Sequence, residues 1–138
     1  MTQEERPLSK VVPVLVAVLV CDTAAADPAT GKKNLIGIFD RVNARIFPTQ
    51  RPMSVYMKLT DAEGFYRIQV RYVQTSSGEE LARAEGEAEF ASRLGSFDFF
   101  ISLPPVEIPS NGRYEFQIWA NDVYLGGTFI DAARVPQQ

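Results

Sequence analysis

Histidine is absent from the chain, and cysteine occurs once, at Cys21. The first absence removes the usual general base and the commonest metal ligand; the second excludes an internal disulfide. With no histidine to activate it, Cys21 is read as a buried, unreactive thiol and not as a nucleophile. Helical periodicity is missing as well, since no window repeats apolar residues at three- and four-residue spacing between caps. Neither sign of charge dominates. Lys and Arg number 14 against 17 Asp and Glu, for a net charge of −3, and no basic stripe forms, which argues against nucleic acid or an anionic membrane as the main partner. From this inventory no catalytic residue, no cofactor and no metal is expected, and the chain is read as a non-enzyme. A carboxylate hydrolase would need two acids facing each other across a cleft, a geometry the sequence imposes on no pair.

What is present is a chain of 138 residues, enough for one domain that removes roughly two-thirds of the surface its unfolded form exposes. Period-two alternation separated by turn clusters accounts for nearly all of it. The clearest hairpin turns at Asn121-Asp122, which sets Ala120 opposite Val123, Trp119 opposite Tyr124 and Ile118 opposite Leu125. One face then collects Tyr114, Phe116, Ile118, Ala120, Val123, Leu125, Gly127 and Phe129, and the other carries Glu115, Gln117, Trp119, Tyr124 and Thr128. A second hairpin is expected about Asp61-Ala62-Glu63-Gly64, pairing Met57 with Ile68 and Val55 with Val70. Leu81 to Phe90 places Glu85, Glu87 and Glu89 on one face and small residues on the other; Phe97 to Leu103 buries Phe97, Phe99, Ile101 and Leu103 and turns Phe100 outward.

Two earlier strands are expected, over 11–22 and 34–47. The first is apolar on both faces, so it must be covered on both. The second changes its inward parity at Asp40-Arg41, from Leu35, Gly37 and Phe39 to Val42, Ala44 and Ile46, as a strand does when it bends between sheets. Tyr114, just inside a strand after the Pro- and Gly-containing stretch 108–113, resembles the tyrosine corner of immunoglobulin-like sandwiches. The expected fold is therefore all-β: an antiparallel, immunoglobulin-like two-sheet sandwich of about eight strands over 11–132, with a flexible arm at 1–10 and a tail at 133–138.

Several motifs are better explained by structure than by chemistry. Ala29-Thr30-Gly31-Lys32-Lys33 lacks the first glycine and the hydroxyl residue of a phosphate loop and precedes a strand, so it reads as a hairpin turn. Asp22, Asp27, Asp40, Asp61, Asp122 and Asp131 near strand ends could supply oxygens to calcium, although aspartate is common in turns for its bonds to nearby amides. The apolar run Val11 to Val20 is ten residues, too short to cross a bilayer as a helix. With Ala24-Ala25-Ala26 behind it, the run has some features of an export signal, but Glu4, Glu5 and Pro13 spoil the pattern. A cytoplasmic location is expected, with export as the alternative.

Val20-Cys21-Asp22, Thr30-Gly31-Lys32, Leu35-Ile36-Gly37-Ile38-Phe39-Asp40, Ile46-Phe47-Pro48 and Leu59-Thr60-Asp61-Ala62-Glu63-Gly64 together resemble an uncharacterised bacterial family, a domain of unknown function. The resemblance covers most of the chain. It implies that the apolar first strand belongs to the mature domain, and it assigns no activity, ligand or catalytic residue.

Function is then sought on exposed surfaces. Trp119 and Tyr124 stand side by side on the otherwise polar face of their hairpin, where paired aromatics either brace the hairpin end or form a contact patch of the kind interfaces favour. The expected partner-binding residues are Trp119, Tyr124, Phe100 and Gln117, and the expected self-association residues are Leu15, Ala17 and Leu19 on the first strand. The leading expectation is an assembly or interaction module whose partner is a protein or a second copy, a homodimer being one form. The alternative is a carbohydrate- or small-ligand-binding module in which Trp119 and Tyr124 stack on a sugar beside Gln117 and Glu115.

Overall fold

The computed structural model describes residues 6–136; residues 1–5 of the expected arm and 137–138 of the expected tail lie outside the described residues. Nine strands follow one another: β1 (Val14–Ala26), β2 (Lys33–Ile38), β3 (Arg41–Ala44), β4 (Thr49–Thr60), β5 (Gly64–Gln74), β6 (Glu80–Phe90), β7 (Ser96–Ile108), β8 (Gly112–Ala120) and β9 (Val123–Arg134). They form two sheets, ordered β2-β1-β4-β7 and β3-β9-β8-β5-β6. Inward side chains of both sheets make one core, with Val55, Met57 and Leu59 facing Tyr66, Ile68, Phe116 and Ile118. The sandwich is immunoglobulin-like, and its tyrosine corner is in place. Tyr114 Oη donates to the Ser110 carbonyl at 2.7 Å and accepts from the Ser110 amide at 3.2 Å.

Four details differ from the expected pattern. The ladder is not wholly antiparallel, because the short β3 runs parallel to β9 at the sheet edge. The expected strand 34–47 is two strands in different sheets, broken at Phe39-Asp40 where its parity changes; Val42 and Ala44 are buried, but Ile46 lies past the end of β3 and is 66% exposed. The expected hairpin of β4 with β5 does not form, since β4 pairs with β1 and β7 while β5 pairs with β6 and β8. The connection instead arches from one sheet to the other, with Ala62 buried at its apex and Asp61 at φ 60°. Two apolar faces read alike whether they lie beside each other or across a core.

The fourth difference is a slip in the last hairpin. Asn121 and Asp122 have φ of 49° and 65°, as a two-residue type I′ turn requires, and Trp119 does pair with Tyr124. One residue later a bulge sets Ile118 opposite Gly126, not Leu125. Phe129 is consequently turned to the outer face, opposite Glu115, and is 42% exposed. Leu15 of β1 occupies the space over Gly126, where an added Cβ would lie 3.0 Å from its Cδ2.

Part of the segment expected as an arm lies along β5, with Leu8 bridged to Phe65 and the Ser9 amide bonded to the Phe65 carbonyl at 2.9 Å. The apolar run 11–20 enters β1, and the alanine triplet continues the same strand. Among the described residues no helix is long and apolar enough to cross a membrane.

Candidate functional site

The outer face of the five-stranded sheet carries the densest set of polar and aromatic contacts. Gln69 and Arg71 of β5 lie opposite Trp119 and Gln117 of β8, and alternation sends all four outward. The Arg71 guanidinium sits 3.8 Å from the centre of the Trp119 ring, a stacked cation–π arrangement, and its nitrogens donate to Gln69 Oε1 at 2.9 and 2.7 Å. The Trp119 indole N–H donates to Gln117 Oε1 at 3.0 Å, and the Gln117 amide donates to Glu115 Oε1 at 2.8 Å. Tyr124 meets Trp119 edge-on, ring centres 5.5 Å apart, and its hydroxyl donates to Glu115 Oε2 at 2.8 Å. Desolvation first, and the Glu115 carboxylate second, push the Tyr124 phenol up to about 12. Each side chain in this chain of contacts thus has at least one bonded or stacked neighbour within the patch.

Trp119 and Gln117 are thus brought together with Tyr124 as expected, but the indole is half-buried instead of standing free in water, and Arg71 occupies one of its faces. Arg71, which alternation places on an outer face but not beside Trp119, is the residue that completes the patch. Its alternation with Gln69 was visible; its position opposite Gln117 depends on β5 pairing with β8, which alternation does not reveal. At the far end of the same face Arg113 lies over Phe129 at 4.9 Å and pairs with Asp131 at 2.8 Å.

Phe100 does not join this patch. It faces outward from β7, in the other sheet, beside Tyr56 of β4. Nor do the three self-association residues share a face. A bulge between Leu15 and Ala17 turns Leu15 to the core while Ala17 and Leu19 point outward. The exposed apolar residues of this stretch are Val12, Val14 and Val16.

The other outer face is partly covered by the chain itself. In a flat sheet Lys33, opposite Ala26, would stand about 30 Å along the strand direction from Asp98, which is level with Ala17. Yet Lys33 Nζ lies 3.0 Å from Asp98 Oδ1. The β1–β2 hairpin therefore bends at Cys21-Asp22 and folds back across the sheet. Tyr56 Oη donates to the second Asp98 oxygen at 2.8 Å, and the Lys33 ammonium, with the tyrosine assisting, holds the Asp98 carboxyl below its ordinary range. Cys21 is fully buried, its thiol pushed up by burial and then by the Asp22 carboxylate. At the bend Gly37 has φ 73°, and a Cβ there would fall 2.2 Å from Asp22 Oδ2. The Cys21-Asp22 and Thr30-Gly31-Lys32 segments and Gly37-Ile38 all belong to this one folded-back hairpin, and Phe39-Asp40 leads out of it to the other sheet.

Four of the six candidate aspartates are engaged at separate places in the molecule: Asp27 with the Ala29 amide, Asp61 with Arg93, Asp122 with Arg71 and Asp131 with Arg113. Among the described residues no three His, Cys, Asp or Glu side chains gather as a metal site.

A family of unknown function, DUF6941, matches residues 16–132. The chain belongs to that family. The match takes in the bent hairpin and the Trp119 face. Among solved structures the chain is similar to an immunoglobulin-like protein from Pseudomonas aeruginosa at 12% identity, with 96% of this chain and 99% of that one covered and a TM-score of 0.34. No curated protein matches.

Proposed function

We propose that the domain is a non-catalytic interaction module working in the cytoplasm, that its contact surface is the outer face of the five-stranded sheet, and that the partner it takes is a second copy of itself. One observation carries this reading: Trp119, Tyr124 and Arg71, the three residue types most enriched among binding hot spots, lie together on an open sheet face with their polar atoms already bonded. Groups fixed beforehand lose little conformational freedom on association. The face also holds both signs of charge, Arg71 and Arg113 beside Glu115, Asp122 and Asp131. A two-fold contact requires a surface complementary to itself, and a mixed-charge face meets that condition where a single-sign face would not.

Light scattering on the purified chain, over a concentration series, tests the proposal. The wild type should gain mass with concentration, and Trp119→Ser should shift that gain to about tenfold higher concentration or beyond, as loss of a central aromatic does. A wild type that stays at the single-chain mass throughout would rule out self-association.

A further inference from the structure

A second surface lies on the side of the sandwich where β6 and β7 form the edges of their sheets. The inward positions of β6 are Ala82, Ala84, Gly86 and Ala88, opposite the buried Tyr72, Val70, Ile68 and Tyr66 of β5. Ala82 and Gly86 are exposed although they point inward, and the facing Phe99, Ile101 and Leu103 of β7 are only half-buried. The two sheets are therefore not closed along this side. Beneath the β6 edge the gap widens into an apolar cavity of about 210 Å³, lined chiefly by Val70, Tyr72, Leu81, Ala84, Leu103 and Phe116. An apolar cavity of roughly 150 Å³ accepts benzene, so this one has room for a single aromatic or branched aliphatic side chain.

The backbone beside the cavity is open as well. β6 pairs only with β5, leaving its other edge without a ladder partner among the described residues. Across the gap β7 carries Pro104 and Pro105 at the cavity mouth, and proline has no N–H to offer a ladder. Beside the cavity an added strand would thus find its ladder partner in β6 and not at Pro104-Pro105 of β7. Its alternate side chains would point into the gap, and the others would lie beside Arg83, Glu85, Glu87 and Glu89 on the outer side of β6, where acids outnumber the base although Glu85 pairs with Arg67 and Glu89 with Arg6. A second copy of β6 fits poorly, because its inward residues, Ala82, Ala84, Gly86 and Ala88, include none large enough to fill the cavity.

We propose that this edge binds an extended segment of another protein by strand addition, the segment alternating apolar with basic residues and placing one large apolar side chain in the cavity under Ala84. The cavity opens on the inner side of β6, whereas the Trp119 patch lies on the outer face across β5, so the altered peptides, which leave Trp119 untouched, test this site apart from self-association there.

The test uses the wild-type domain and a fluorescein-labelled ten-residue peptide alternating lysine with valine and one central phenylalanine, read by anisotropy and by amide shifts in NMR. Saturable binding is expected, with the largest shifts along Glu80–Phe90. Three altered peptides each address one element: the central phenylalanine changed to alanine, glutamates in place of the lysines, and N-methylation of alternate amides on the ladder side. Each should weaken binding about tenfold or more. Ala84→Trp, which fills the cavity from within, should do the same where the variant remains folded. The proposal is overturned if no saturable binding appears, if the N-methylated peptide binds as well as the parent, or if the shifts map away from β6.

Discussion

At Tyr114 a single hydroxyl, given and received by the backbone of Ser110, ties the crossing loop to the start of β8. Tyr114→Phe leaves the packing intact and removes both bonds, so it should cost about 1–2 kcal/mol, seen in urea as a lower midpoint with an unchanged slope. This residue was legible in the sequence, because a Pro- and Gly-bearing crossing followed by tyrosine has few other uses. Gly37 was legible only as an inward position of a strand. Its positive φ and the Asp22 carboxylate where a side chain would go become apparent once the hairpin bends. Gly37→Ala should destabilise by about 1 kcal/mol or more, measured in the same urea experiment. Phe100 marks the limit of reasoning residue by residue: its outward direction was evident from alternation, but the sheet it points out of is fixed by partners far away in the chain.

Among the elements, the bent hairpin departs furthest from what periodicity can express. A turn at Asp27–Lys32 was expected, and the strands on either side of it pair, but alternation describes a ribbon and says nothing about whether the ribbon lies in the plane of its sheet. The fold-back is held at its tip by Lys33 and Asp98, whose side chains are 19% and 34% exposed. Lys33→Met should loosen the tip, and Cys21 beneath the bend should then react faster with a thiol reagent than in the wild type, in which the sulfur is fully buried. Equal rates in the two proteins would show that the pair does not govern access. The same pair sets a pH dependence. A carboxyl depressed in the folded state contributes stability that is full above its unfolded value, roughly 3.9, and is lost as pH falls through the folded value. The melting temperature should therefore decline on acidification below about pH 4, and less steeply in Asp98→Asn, as followed by circular dichroism.

Across the whole molecule, the two sheets, the shared core and the immunoglobulin-like corner follow from alternation, turn chemistry and the lack of helical periods. The order of strands within the sheets does not follow. β4 and β5 each present an apolar face, and that face fits a neighbour in the same sheet as well as one across the core; the arch at Asp61–Glu63 decides for the latter. The same uncertainty hid the patch. Trp119 and Tyr124 could be paired from their turn alone, whereas Arg71 reaches the indole only because β5 lies next to β8. Sedimentation equilibrium on the wild type and Trp119→Ser, from micromolar to millimolar concentration, reads out whether this assembled face joins two copies of the chain, as proposed. The wild-type mass should rise from 15.4 kDa toward twice that value while the variant lags well behind. A wild type that stays at one chain mass, or a variant that associates as readily, would contradict the proposal.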